Sequence, residues 1–173
     1  MQRMMICAMA MCLSPMAMFG QATTANPLSA EVQARYEQVK GFVIKAAENM
    51  PAENYSYKPT PDIRSFARVV NHVTEAQFHS CGALNGATEA KPAPPETADK
   101  TTIVNALKAS FAECDKAFGA LTDAHLAEMM DIGGRKRSQM GLAWGTVSHD
   151  NEQYATLALY MRLKGLTPPS SEK

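Results

Sequence analysis

NGATEAKPAPPETAD, residues 85–99, is a polar segment with three prolines lying between two helical stretches. Its 14 or so residues reach roughly 45 Å when extended, whereas a 20-residue helix spans roughly 30 Å. The segment can therefore cross a whole bundle and set the helices on either side of it parallel. The expected order is up-down-down-up, with the long crossover between the second and third helices.

The helices themselves follow from apolar spacing. The first is predicted from Ser29 as N-cap to about Met50, with Leu28, Val32, Tyr36, Val39, Val43, Ala46 and Met50 as one stripe. Pro51 stands just past its end. Ser65 caps the second, which runs to about Leu84 with Phe66, Val69, Val70, Val73, Ala76 and Cys81 inward. The third begins near Thr101 or Thr102 and carries Leu107, Phe111, Cys114, Phe118 and Leu121. A short helical turn capped by Thr122 and the turn GGRKR (133–137) follow. The fourth helix runs from a Ser138 cap to Lys164, with Met140, Ala143, Trp144, Val147, Tyr154, Ala158 and Met161 on one face. Gly165 is its natural C-cap and Pro168-Pro169 block continuation. No run of alternating β-branched residues is long enough for a sheet. Four such stripes can bury themselves only against one another, so the fold class is all-α, a four-helix bundle.

The chain begins differently. MQR is followed by the apolar run MMICAMAMCLSPMAMF (4–19), with small residues at Gly20 and Ala22. This is the pattern of a secretory signal peptide over residues 1–22, cleaved after Ala22 or after Ala25. A stable membrane anchor would need roughly 20 apolar residues. The expected organisation is a leader at 1–22, a bundle over 26–168 and a tail at 169–173, in a periplasmic or secreted protein. Lys+Arg and Asp+Glu are 17 each. Removing Arg3 takes 17 cations to 16 against 17 anions, a formal charge of −1. That balance gives no reason to expect a nucleic-acid partner.

Cleavage would leave two cysteines, Cys81 and Cys114, and two cysteines in an exported protein invite a bridge. In the parallel arrangement both stand level within a turn on apolar faces. An antiparallel hairpin would set them about two to three turns apart, beyond the 4.4–6.8 Å Cα separation that a disulfide allows. The expected pairing is Cys81–Cys114; the alternative is two buried free thiols. An apolar face argues against Cys81 as a nucleophile.

Chemistry is sparser. His72 and His79 point within about 20° of each other but are about 10 Å apart along one helix, so they cannot share an ion unaided. On the fourth helix His149, Gln153, Thr156 and Tyr160 form a polar strip beside the apolar one. His72 flanks the second helix's stripe in the same way, so the two strips can meet at a mouth of the bundle, where bundle metal sites are built. Imidazoles suit zinc and related ions, whereas Gln153 offers a neutral carbonyl oxygen. Glu152 points about 100° away from Gln153. The blander reading is two hydrogen-bonded histidines at a rim. GGRKR could grip a phosphate or a carboxylate, although a charge run at a turn is usually a solvated surface. His79 and His125 read as surface residues. In GLAWG (141–145), close helix packing explains the two glycines better than a cofactor contact.

KPTPDIRSFARVVNHVTEAQ (58–77) together with SHDNEQYATLALYMRLKGLTPPSS (148–171) resembles the DinB-like superfamily of four-helix bundles, in its exported branch. The resemblance covers about Leu28 to Ser171 and implies the up-down-down-up bundle. It also implies a divalent metal (Zn, Ni, Mn or Fe) held by three histidines, at His72, at His149 and at position 153. This chain departs from the pattern with Gln153 as a degenerate third ligand. Some relatives of this kind are metal-dependent hydrolases or transferases acting with low-molecular-weight thiols, which are cytosolic and out of reach of an exported protein. The implied partner is a small molecule of unknown identity. The alternative is a non-catalytic bundle whose metal site has decayed. Such proteins often pair as homodimers, but no stripe here demands it.

Overall fold

The computed structural model describes residues 25–172. The leader expected at 1–22 lies outside the described residues. Among those described, no helix is long and apolar enough to cross a membrane.

Four helices make the bundle: α1 (Pro27–Asn49), α2 (Phe66–Leu84), α3 (Lys100–Gly119) and α4 (Gln139–Leu163). The crossover does what its length allows. Asn71 Nδ2 donates to Pro94 O (2.8 Å) and Ser65 Oγ donates to Glu96 Oε1 (2.9 Å), so the segment returns from the end of α2 to its beginning. Lys100, opening α3, then donates to Glu48 O and Met50 O at the end of α1. Tyr160 near the end of α4 donates to Arg64 O beside the start of α2 (2.9 Å). These contacts place α2 and α3 parallel, and α4 antiparallel to α2, in the expected up-down-down-up order.

Tyr36, Phe66, Ile103, Leu107, Phe111, Phe118, Leu157 and Met161 fill the core. Tyr36 stacks on Phe118 with ring centroids 4.0 Å apart, and its hydroxyl lies 2.6 Å from Asp115 Oδ1. Cys81 and Cys114 are joined as a disulfide with Cα atoms 4.9 Å apart, which ties α2 to α3 at one level.

The structure differs from the sequence reading in several places. Ser29 is not the cap of the first helix. Asn26 holds that position without a side-chain bond to the helix, its Oδ1 accepting from Asp123 N instead, and Asp123 supplies the cap from far along the chain. Its carboxylate accepts the Leu28 and Ser29 N–H groups and the Ser29 hydroxyl, satisfying donors that a helix start leaves without partners. Asp99, rather than Thr101 or Thr102, marks the entry to α3, accepting from Thr102 N.

A small sheet is present where none was expected. β1 (Met129–Ile132) and β2 (Arg135–Ser138) form an antiparallel hairpin in place of a bare turn. Gly133 and Gly134 both have positive φ, 60° and 82°, the conformation a two-residue hairpin turn requires. The strands carry only one β-branched residue, Ile132, so turn chemistry rather than strand propensity makes the hairpin.

On α4, Trp144 is 55% exposed instead of inward. Thr146, Asp150 and Gln153 are buried in company with the apolar residues, because this helix packs against both α1 and α2 and buries a broad face. Residues after Pro168, read as a tail, fold back. Tyr154 donates to Ser170 Oγ (2.8 Å), and Glu172 pairs with Lys45 of α1.

Candidate metal and ligand site

α2 and α4 run side by side, and that adjacency brings the two polar strips together. Nε2 of His72 and Nε2 of His149 lie 3.1 Å apart, with the rings tilted at 69°. Both residues are half-buried. Gln153, one turn beyond His149, is buried and makes no side-chain hydrogen bond among the described residues. Glu152 is exposed and takes no part. His79 is exposed further along α2, and His125 is exposed on the surface, 2.6 Å from Glu128.

Burial, followed by the electrostatic influence of Arg64, His149 and Arg68, holds the His72 imidazole below its ordinary pKa. A neutral imidazole with a free lone pair is the form that binds a metal. Two nitrogens each about 2.0–2.1 Å from one tetrahedral ion stand roughly 3.3–3.4 Å apart. The observed 3.1 Å is close to that, and it is equally the length of one hydrogen bond between the rings. The donor set fits a divalent ion at two positions, and the buried, unspent Gln153 amide stands one turn away as a weak third. Among the described residues no group of three or more His, Cys, Asp or Glu side chains converges.

Behind the histidines is a buried polar chain that the sequence reading missed. Asp150, fully buried, has Oδ1 3.4 Å from His149 Nδ1, and its Oδ2 accepts from Gln77 Nε2 at 3.0 Å. Gln77 in turn bonds Ser110 on α3. Burial pushes the Asp150 carboxyl above the usual range, although its bonds to His149 and Gln77 pull the other way. Carboxylates behind metal-binding histidines commonly orient the ring. The available signal was Asp150 beside His149 on an inward-facing position.

Next to the pair a cleft of about 390 Å³ opens between α2, α4 and the hairpin. His149 stands in its wall, whereas His72 and Gln153 do not. Arg135 and Arg137 of the turn sequence GGRKR also line it. The glycines of GLAWG do not serve close helix packing. The Arg137 guanidinium lies beside them: it donates to Gly141 O at 3.0 Å, and a Cβ at Gly145 would make only ordinary contact with it at 3.5 Å.

The family model of the DinB superfamily matches residues 35–157. The chain belongs to the DinB superfamily. A DinB-like protein from Bacillus cereus ATCC 10987 shares the fold with a TM-score of 0.70 at 19% identity, over 81% of this chain and 95% of that one. A DinB-like protein from Bacillus subtilis gives 0.63 at 19% identity, over 79% and 93%. A mycothiol-dependent maleylpyruvate isomerase, as its H52A mutant, gives 0.62 at 11% identity, over 75% of this chain and 60% of that one. No curated protein matches. At these identities the structural likeness carries the DinB fold and nothing of the chemistry.

Proposed function

We propose that this DinB protein is a divalent-metal-dependent hydrolase or transferase acting on a small molecule in the cleft beside His149. The observation that carries the reading is the 3.1 Å approach of His72 Nε2 to His149 Nε2. His72 and His149 would hold the ion, with the Gln153 carbonyl oxygen or solvent completing the set. Such an ion supplies Lewis acidity and activates water. The chain's own part is to keep His72 neutral by burial, to fix the His149 ring against Asp150, and to shelter the pair between α2 and α4. The leader pattern and the Cys81–Cys114 bridge favour export to an oxidising compartment, periplasmic or outside the cell. That setting favours hydrolysis over transfer from a cytosolic thiol.

The test combines metal content with turnover. After dialysis against each ion, the protein should retain about one equivalent and hydrolyse members of a p-nitrophenyl ester and phosphate panel. Both properties should disappear in His72→Ala. Gln153 favours a second reading, a bundle that binds its ligand without catalysis. Metal retention below a tenth of an equivalent with every ion would select that reading.

A further inference from the structure

We infer that the cleft beside the histidine pair recognises an oxyanion, a carboxylate or a phosphoryl group, through Arg137 and Arg135 of the hairpin. The assignment of that anion as the substrate of the site rests on the function proposed above; the subsite itself does not.

Strand alternation puts the two arginines on one face of β2 and Lys136 on the other. Lys136 stands across the hairpin from Asp131 and lies outside the cleft lining, although among the described residues it forms no ion pair. Arg137 and Arg135 stand across from Met130 and Ile132, which carry no charge. Among the described residues neither arginine forms an ion pair with a carboxylate. Two unpaired guanidinium groups in one cleft, in a chain with 17 cations and 17 anions, are a local concentration of positive charge.

Arg137 is also placed, not merely exposed. Its guanidinium lies along α4 beside Gly141 and Gly145, where an added Cβ would come only into ordinary contact with it, at 3.7 Å and 3.5 Å. One donor is spent on Gly141 O, and the others remain for a planar oxyanion that accepts two parallel bonds. Gly145 precedes His149 by one turn, about 6 Å along the axis. Ala76, Ile132 and Leu142 supply apolar wall between. The ligand that fits is a small molecule with a short apolar body and one oxyanion about a helical turn from the histidines. A volume of about 390 Å³ suits such a size.

Isothermal titration calorimetry of the metal-stripped protein with sodium succinate and, separately, sodium phosphate, at ionic strength held constant with sodium chloride, tests the subsite. The parent, Arg137→Gln, Arg135→Gln and Lys136→Gln are compared. The expected result is saturable binding of at least one anion, weakened about tenfold or more in both arginine variants, and within about twofold of the parent in Lys136→Gln. Tighter succinate assigns a carboxylic acid, and tighter phosphate a phosphoryl compound. Absence of saturable binding, or equal weakening in all three variants, overturns the inference. Arg135 makes no side-chain hydrogen bond among the described residues, so its variant carries the test if Arg137→Gln misfolds. The measurement needs no metal and leaves His72 and His149 intact. Anion binding without metal retention would overturn the proposed catalysis alone, and metal retention without anion binding would overturn the subsite alone.

Discussion

His72 and His149 are 77 positions apart in the chain, and their Nε2 atoms stand 3.1 Å apart. Local sequence cannot produce that meeting. It requires α2 and α4 to be antiparallel neighbours, which follows from a crossover that returns to the start of α2, where Asn71 and Ser65 hold it.

Placing an imidazole at position 153 should complete the set of ligands. Gln153 already occupies a buried position one turn from His149. Gln153→His is expected to tighten Zn²⁺ binding about tenfold or more, since an imidazole is a far better ligand than an amide oxygen. Competition against a chromogenic chelator measures this. Unchanged affinity would mean that position 153 does not face the ion.

The Cys81–Cys114 bridge closes a loop with a sequence separation of 33. Loop-closure entropy puts its contribution at about 3–4 kcal/mol. Reduction, or the double serine variant, should lower Tm by roughly 6–16 °C at about 2–4 °C per kcal/mol. Calorimetry with and without reductant checks this, and equal melting temperatures would show that the bridge does not form in solution.

Asp123 gives a pH signature. The backbone bond from Ser29, joined by the Leu28 N–H and the Ser29 hydroxyl, holds its carboxyl below the usual range against an opposing desolvation. A depressed folded pKa adds stability that is present above the unfolded value, about 3.9, and is lost as pH falls through the folded value. Asp123→Asn should therefore melt below the parent at pH 7, with the gap closing as the medium is acidified below about pH 4. A gap that persists undiminished in acid would show that the ionised carboxylate is not what clasps α1.

The hairpin turn offers a separate handle. Gly134 has φ 82°, and a side chain there is strained by about 1–3 kcal/mol. Gly134→Val should lower Tm modestly and weaken oxyanion binding, because β2 carries both arginines, while leaving Zn²⁺ affinity unchanged. Parallel titrations of succinate, phosphate and zinc follow all three effects.

Much of this molecule can be read from its sequence, for identifiable reasons. Apolar spacing reports which helix face is buried, so the four helices are legible. The level of Cys81 and Cys114 follows once the crossover is taken as long enough to make α2 and α3 parallel. What stayed hidden depends on contacts between distant residues. Asp123 caps α1 from the far side of α3. Gly133-Gly134 makes a hairpin from strands without strand propensity. On α4, packing against two helices buries Thr146, Asp150 and Gln153 and leaves Trp144 outside, so one apolar stripe misreports its inner face. The histidine pair was legible as two flanking strips. The Asp150–Gln77 chain behind it and the bond from Arg137 to Gly141 O needed the fold.

The most direct test of the central claim is thermal unfolding of the metal-stripped protein with Zn²⁺, Ni²⁺, Mn²⁺ and Fe²⁺ in turn, alongside His149→Ala. An ion at about 100 times its dissociation constant adds roughly 2.7 kcal/mol, or about 5–11 °C in a chain of this size. The account predicts such a rise with at least one ion in the parent and none in His149→Ala. No rise with any ion, or an equal rise in His149→Ala, would contradict a metal held between His72 and His149.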